Sequence, residues 1–515
     1  MTNDIGDTRA AITRSNNQED KLTWYIIWTT MAVSTGGFLY GYSLVSAGGV
    51  SIMNDFLKKF FPVIFSHKLA GSHDNYCKYD NQFFQLFSSL LCLAALCSAF
   101  LASSVTRRFG HTATMVGAGL FYVIGSVLGA AATDISMVYL SRVFMGCGIG
   151  FSNQAIPLYL SEIAPPKKRG TVLLLFSVEL ACGLFIANLT NYLSNMRHPW
   201  GWRIPFGVCV VPAIVLTITG MLLLESPYSL IAKGEHSRAR IVLQKLRGRK
   251  DVEDELRDLI KRRSMVEQSP TFKNTGQFRS LIARHHRPQL VIGMAMPFFQ
   301  QMTGFDAILF YGPSIFSAAG FKDNAALYST LITGTCALLA TIAAASIVDR
   351  VGRRPILLYC SVVMLIAMVV VAIILGVGLR GAARLPQRLG ILDVVVLCTI
   401  VLAYKASWGP LAWLVPSEIF PQEIRSVGQS IVVSLNMLMK FVFAQSLLSM
   451  LCAMKYGIFL FFGAWLAVMG LFTLFLIPET KGVPIDCMKE LWENHWYWKQ
   501  YMQTTIPPVQ KEIPL

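Results

Sequence analysis

Apolar residues in this chain come in twelve long runs separated by polar breaks: about 24–46, 83–104, 113–131, 137–160, 171–193, 204–224, 289–317, 327–347, 356–377, 392–414, 427–450 and 457–477. Each is near the roughly 20 residues a helix needs to cross a bilayer. The runs are continuous and lack the alternation, over segments of about ten residues, that marks a membrane barrel. They therefore predict helices, which satisfy their own backbone groups where lipid offers no partner. The expected fold is an all-α membrane protein with twelve transmembrane helices.

Composition sharpens this reading. Of the 515 residues, 54% are hydrophobic and 14% charged, against about 25% charged in soluble proteins. A mean hydropathy of +0.51 leaves too little polar surface for an aqueous enzyme, a disordered scaffold or a disulfide-rich secreted domain. The N-terminal 21 residues are polar, with Asp4, Asp7, Glu19 and Asp20, unlike a cleavable leader, which is basic and then apolar. The net charge of +16 fits basic loops on the inner face of a membrane rather than nucleic-acid binding. Most of that bias lies in 225–288, whose alternating acids and bases (Glu253, Asp254, Glu255, Arg257, Lys261, Arg262) predict short surface helices. The expected organisation is an inner tail (1–21), a six-helix bundle (22–224), a cytoplasmic helical loop (225–288), a second bundle (289–477) and an inner tail (478–515). Both termini are then cytoplasmic.

The two bundles are related. Ser161-Glu162-Ile163, Pro165 and Arg169 recur as Ser417-Glu418-Ile419, Pro421 and Arg425. Arg107-Arg108 after the second span is matched to Arg353-Arg354 after the eighth, and Glu225-Ser226-Pro227 to Pro478-Glu479-Thr480. Motifs repeating at the same place in each half mark an internal duplication. Carboxylates and guanidinium groups at helix ends on one face can pair with neighbouring helices and with helix N-termini. Arg108, Glu162, Arg169, Glu225, Asp349, Arg353, Arg354, Glu418, Arg425 and Glu479 are the expected members of a latch that holds the inner ends of the halves in one state and releases them in another, as alternating access requires.

With Arg142-Val143, Pro157-Leu158-Tyr159-Leu160-Ser161-Glu162, Gln300-Gln301-Met302-Thr303-Gly304, Val348 to Arg354, Trp413 to Glu418 and Pro478 to Gly482, the chain resembles a sugar porter of the major facilitator superfamily over about residues 20–490. It is most similar to the plant sugar transport proteins, which are monosaccharide–proton symporters of the plasma membrane. Ser152-Asn153-Gln154-Ala155 and the Cys77-bearing outer loop carry that finer likeness.

A pyranose needs amides that donate and accept at once and an aromatic surface for its C–H faces. Gln300 and Gln301 lie mid-span; side chains about 100° apart on a helix serve one ligand only if Gly304 lets the helix distort. The resemblance makes both Gln residues and Trp413 sugar contacts; Phe38 and Trp408 are weaker aromatic candidates. It also implies a Gln, an Asn and a second Asn where this chain has Ser177, Asp306 and Ala337.

The resemblance further implies a first-span aspartate after Gly41-Tyr42, facing Arg142 and carrying the proton. Ser43 stands there, as a neutral residue does in facilitative relatives. Arg142 then needs another anion, with Glu162 as the candidate. Glu179, Asp306 and Lys405 are unexpected intramembrane charges, each a functional hypothesis by default; they could form a triad, with Glu179 as a substitute proton acceptor. The function expected by family is hexose:proton symport, with a facilitative uniporter, a sugar sensor or a dominant-negative partner as alternatives. The partners are thus a monosaccharide, protons and the bilayer. Cysteines lie mostly inside apolar runs and act as small hydrophobes; by resemblance Cys77 pairs with Cys452 at the outer surface. There is no phosphate-binding loop of the G-x-x-x-x-G-K-[ST] type and no histidine or cysteine cluster, so neither cofactor nor metal is expected.

Overall fold

The computed structural model describes residues 23–69, 81–165, 168–268, 281–306, 323–378, 386–421, 424–481 and 488–502. All of their regular structure is helical. In the first half the long helices are α1 (Trp24–Val50), α2 (Gln82–Phe109), α3 (His111–Ala131), α4 (Ile135–Ile163), α5 (Arg169–Ser194) and α6 (Ile204–Leu222). In the second they are α7 (Arg287–Met302), α8 (Asp323–Val351), α9 (Arg353–Gly378), α10 (Gln387–Ala406), α11 (Trp408–Ile419), α12 (Arg425–Met454) and α13 (Gly457–Leu476). Among the described residues ten helical stretches are long and apolar enough to cross a membrane, the α10–α11 pair counting as one. The others are α1, 27 residues diluted by Ser, Thr and Gly, and α7, whose run continues into 307–317, outside the described residues.

Helix starts follow the sequence. Thr23 Oγ1 accepts from Ile26 N (3.3 Å) at α1, and Asn81 Oδ1 from Phe83 N (2.9 Å) and Phe84 N (3.2 Å) at α2, satisfying donors no helix can satisfy for itself. Outward faces stay apolar: Val211, Met221, Ile366 and Leu471 are all exposed, as lipid contact demands. With no hydrophobic drive between helices in lipid, close backbone approach substitutes. Gly41 abuts the Leu180 carbonyl and Gly146 the Leu91 carbonyl, leaving no room for a Cβ.

The halves share one pairing plan. In the first, α1 packs on α5, α2 on α4, and α3 on α4 and α6. In the second, α7 packs on α12, α8 on α10, and α9 on α10 and α13. Across the halves, α2 meets α12 and α5 meets α8. The first seam is hydrogen-bonded: Ser89 Oγ donates to Gln445 Oε1 (2.6 Å), Gln445 Nε2 to Gln82 Oε1 (2.8 Å), and Gln85 Nε2 to Ser449 Oγ (3.3 Å).

Between the halves run His236–Arg247 and Glu253–Gln268. These are helices, as expected, but not wholly solvated: Val242, Leu243 and Leu246 are buried. Arg247 pairs with Glu255 (2.7 Å) and donates to the Ile163 carbonyl (3.3 Å), while Thr23 Oγ1 donates to the Leu246 carbonyl (2.7 Å). The loop is thereby fixed beneath the first half, on what we call the linker face.

Candidate functional site

Two breaks open the centre of the molecule. Helix α7 ends at Met302, and Gly304 takes φ +75°, a conformation only glycine adopts without strain. The tenth apolar run is not one helix but two, split at Ser407 (φ −131°, ψ −93°). Gln300 ties the breaks together: its Nε2 donates to the carbonyls of Trp408 (3.1 Å) and Gly409 (2.8 Å), and its Oε1 accepts from Asn436 Nδ2 (2.6 Å) on α12.

Beside this node a pocket lies between the halves. The first half contributes Tyr40 and Leu44 from α1 and Phe176, Ser177, Leu180 and Leu184 from α5; the second contributes Gln300, Phe305, Asp306, Tyr404, Lys405, Trp413 and Lys440. A second pocket shares Leu184 and Phe305 and adds Asn188, Thr330, Thr333 and Ala337. Expected residues Gln300, Asp306, Trp413, Ser177 and Lys405 thus come together. Gln301 and Phe38 do not line the pocket. Helix α7 is intact through both glutamines and distorts only after them, so Gln301 points elsewhere; it is buried, with neither amide atom hydrogen-bonded among the described residues. Phe38 packs on Tyr42 (6.0 Å between ring centroids). Trp408 is core: fully buried, its Nε1 donates to Ser361 Oγ (2.8 Å).

The charge network differs from the expected triad. Asp306 Oδ2 faces Lys440 Nζ at 3.3 Å, a pairing sequence reasoning missed. Lys440 follows Asn436 by one helical turn, so it shares the face that meets Gln300; a lysine in the middle of an apolar run was the available signal. Lys440 Nζ also lies 5.2 Å from the Tyr40 ring, across the half boundary. Lys405 Nζ sits 4.9 Å from the Phe305 ring and 5.7 Å from that of Tyr404, the two rings stacked at 4.0 Å. Glu179 is outside the pocket lining: two positions beyond Ser177, it is turned about 200° round α5.

Arg142 has not found Glu162. It is fully buried between the faces of Phe87 (4.5 Å) and Phe206 (5.1 Å), and its Nη1 donates to the Ser43 carbonyl (3.3 Å). Aromatic faces supply the negative potential that a carboxylate would otherwise provide. The Ser43 hydroxyl faces the Cys209 thiol on α6.

On the linker face the duplication becomes geometry. Glu225 accepts from His111 N (3.0 Å) and Thr112 N (3.4 Å), capping α3; Glu479 accepts from Arg353 N and Arg354 N (both 3.0 Å), capping α9. Glycines at φ +101° (Gly110) and +107° (Gly352) precede both helices. Glu162 meets His111 Nε2 (3.3 Å) and the Ser226 hydroxyl; Glu418 meets Arg353 Nη2 (2.7 Å) and Thr480 Oγ1 (2.7 Å). The counterpart of Arg353 is therefore His111, not the Arg107-Arg108 pair matched on sequence, because each opens a helix under a capping glutamate. These contacts lie within halves. Across the boundary, Arg425 acts attractively on Glu162. Arg108 is exposed over the Phe109 ring (5.6 Å), and Arg354 Nη2 donates to the Leu474 carbonyl (2.5 Å). The Arg169 and Asp349 side chains lie outside what the structure describes. Cys452 is disulfide-bonded; Cys77 lies outside the described residues. Among those residues no cluster of potential metal ligands occurs.

Two matched helical bundles around a pocket at their seam define a membrane transporter, not an enzyme. The chain belongs to the sugar transporter family: the family described as "Sugar (and other) transporter" matches residues 28–492. It is 45% identical over 489 residues to Sugar transport protein 13 of Arabidopsis thaliana (94% of this chain, 92% of that one). It is 46% identical to Sugar transport protein 14 of the same plant (95% and 97%), and 44% to Sugar transport protein MST4 of Oryza sativa subsp. japonica (94% and 93%). The proton:xylose symporter XylE bound to 6-bromo-6-deoxy-D-glucose shares the fold, with a TM-score of 0.77 at 24% identity over 91% of this chain and 99% of that one.

Proposed function

We propose that this protein carries a monosaccharide across the plasma membrane by alternating access, with the linker and both termini on the cytoplasmic side. The observation that carries the reading is the pocket at the seam, where Gln300, Ser177 and Asp306 supply polar contacts and Trp413 a flat apolar wall. Such a mixture suits a ring with a hydroxylated rim and C–H faces. Binding energy there can be exchanged for movement of one bundle against the other around a fixed site. The glutamate caps and ion pairs within each half would keep a bundle's inner end intact during such a movement, while the attraction of Arg425 for Glu162 across the boundary is what it would remake.

Proton coupling, the family expectation, is the first form of this proposal. A specific observation favours a second form, facilitated diffusion: Ser43 stands where a titratable group is expected, and Arg142 lies between two aromatic faces and donates to a carbonyl, with no carboxylate beside it on α1. Uptake of radiolabelled glucose in yeast lacking its own hexose carriers, with and without a protonophore, tests both. Concentrative uptake abolished by the protonophore supports symport; uptake that equilibrates and ignores it supports facilitation. Sugar binding without uptake contradicts both forms and indicates a sensor.

A further inference from the structure

We propose that the pocket is built for a monosaccharide bearing one carboxylate, a hexuronate, in preference to the parent hexose. This rests on the carrier reading above and names its substrate class. The charges buried in this site do not balance. Lys405, Lys440 and Asp306 all line the pocket and are each at most 6% exposed. Asp306 pairs with Lys440 at 3.3 Å, which leaves one ammonium over. Lys405 Nζ lies against the ring faces of Phe305 and Tyr404, and the carboxylate that acts on it is that same Asp306, so one acid serves two lysines.

No hidden counter-ion is available from the chain continuing past Asp306, since residues 307–321 contain neither Asp nor Glu. Glu179 is outside the lining. Asp393 shares α10 with Lys405 but lies about 18 Å up the helix at a rise of about 1.5 Å per residue. The remaining titratable groups in the lining are the phenols Tyr40 and Tyr404, neutral in their ordinary range. An uncompensated ammonium in a low-dielectric site is unfavourable, and a ligand anion beside it relieves that. A single excess positive charge matches a monoanion. A hexuronate differs from a hexose only in carrying a carboxylate where the hexose has its terminal CH2OH, so it presents the same ring to Trp413. The lining offers little neutral polar reach at Ser177 but carries three charged groups, Asp306, Lys405 and Lys440.

The test uses the full-length protein in proteoliposomes, with radiolabelled D-glucuronate and D-glucose, and D-galacturonate and D-galactose, compared at neutral pH. The expected result is a uronate-to-hexose uptake ratio of about tenfold or more, that ratio falling about tenfold in Lys405→Gln and persisting in Lys405→Arg. Thermal unfolding of each variant checks that it is folded. Transport of hexose with uronate neither carried nor competing overturns this inference and leaves the carrier reading standing. An unchanged ratio in folded Lys405→Gln also overturns it. Transport of neither class by the folded protein overturns both readings.

Discussion

Arg142 and Ser43 meet through the main chain: the guanidinium donates to the Ser43 carbonyl at 3.3 Å, and no side-chain charge on α1 answers it. The buried cation is held by Phe87, Phe206 and one carbonyl, so proton coupling in this chain cannot use a carboxylate at that position.

Restoring an acid there is informative. Ser43→Asp places a carboxylate beside Arg142, where a buried opposite charge stabilises its ionised form. Sugar accumulation by this variant is expected to exceed that of the parent and to become more sensitive to a protonophore, measured as the steady-state ratio of inside to outside label. An accumulation ratio unchanged by the substitution in a stably inserted protein would show that Arg142 takes no part in coupling.

Asp306 and Lys440 are expected to behave as one unit. Asp306→Asn strands a buried ammonium and should destabilise the protein by about 3–5 kcal/mol. Lys440→Gln in the same background should recover about 1–3 kcal/mol of that loss, as contacting residues do in a double-mutant cycle. Unfolding midpoints in detergent for the two single variants and the double give the coupling; strictly additive effects would mean the pair does not interact.

The caps of α3 and α9 should be equivalent. Glu225→Gln and Glu479→Gln are each expected to lose about 1 kcal/mol, and the double substitution about the sum, since the sites are far apart. Gly352→Ala forces a side chain into a φ of +107° and sets its Cβ 2.8 Å from Glu479 Oε2, so it should lose at least about 1 kcal/mol. The same unfolding assay reads all four variants.

His286, just before α7 on the linker face, supplies a pH dependence. Burial, and then the neighbouring His285, lower its pKa from 6.5 to about 4, and its ring nitrogens have no partner among the described residues. The folded protein holds this ring neutral while the unfolded chain protonates it. Its contribution to stability is therefore full above pH 6.5 and is lost as pH falls towards 4. His286→Gln should flatten the decline in unfolding midpoint across that window.

Much of the fold was legible because lipid imposes a length and a composition on every span. The duplication was legible because Glu162 and Glu418 sit at matched helix ends. The breaks were not: Gly304 announced a distortion, but nothing in the sequence said that it falls after Gln301, which removes Gln301 from the pocket, or that Ser407 divides the tenth run. Nor were the partners of the buried charges. Which acid meets Lys440 depends on the rotation of α12 against α7, and the setting of Arg142 on rings from α2 and α6. These are facts of packing between distant segments. The matching of Arg107 with Arg353 failed for a related reason, since the two halves agree in where a glutamate caps a helix, not in which basic residue stands nearby.

Alternating access requires that one pocket at the seam be exposed to each side of the membrane in turn. Its most direct test is counterflow with the purified protein in proteoliposomes, using labelled sugar outside and excess unlabelled sugar inside. Alternating access predicts that internal sugar accelerates entry of label into a transient overshoot, and that Gln300→Ala combined with Trp413→Ala abolishes it. Entry that is indifferent to internal sugar and to both substitutions would contradict the account.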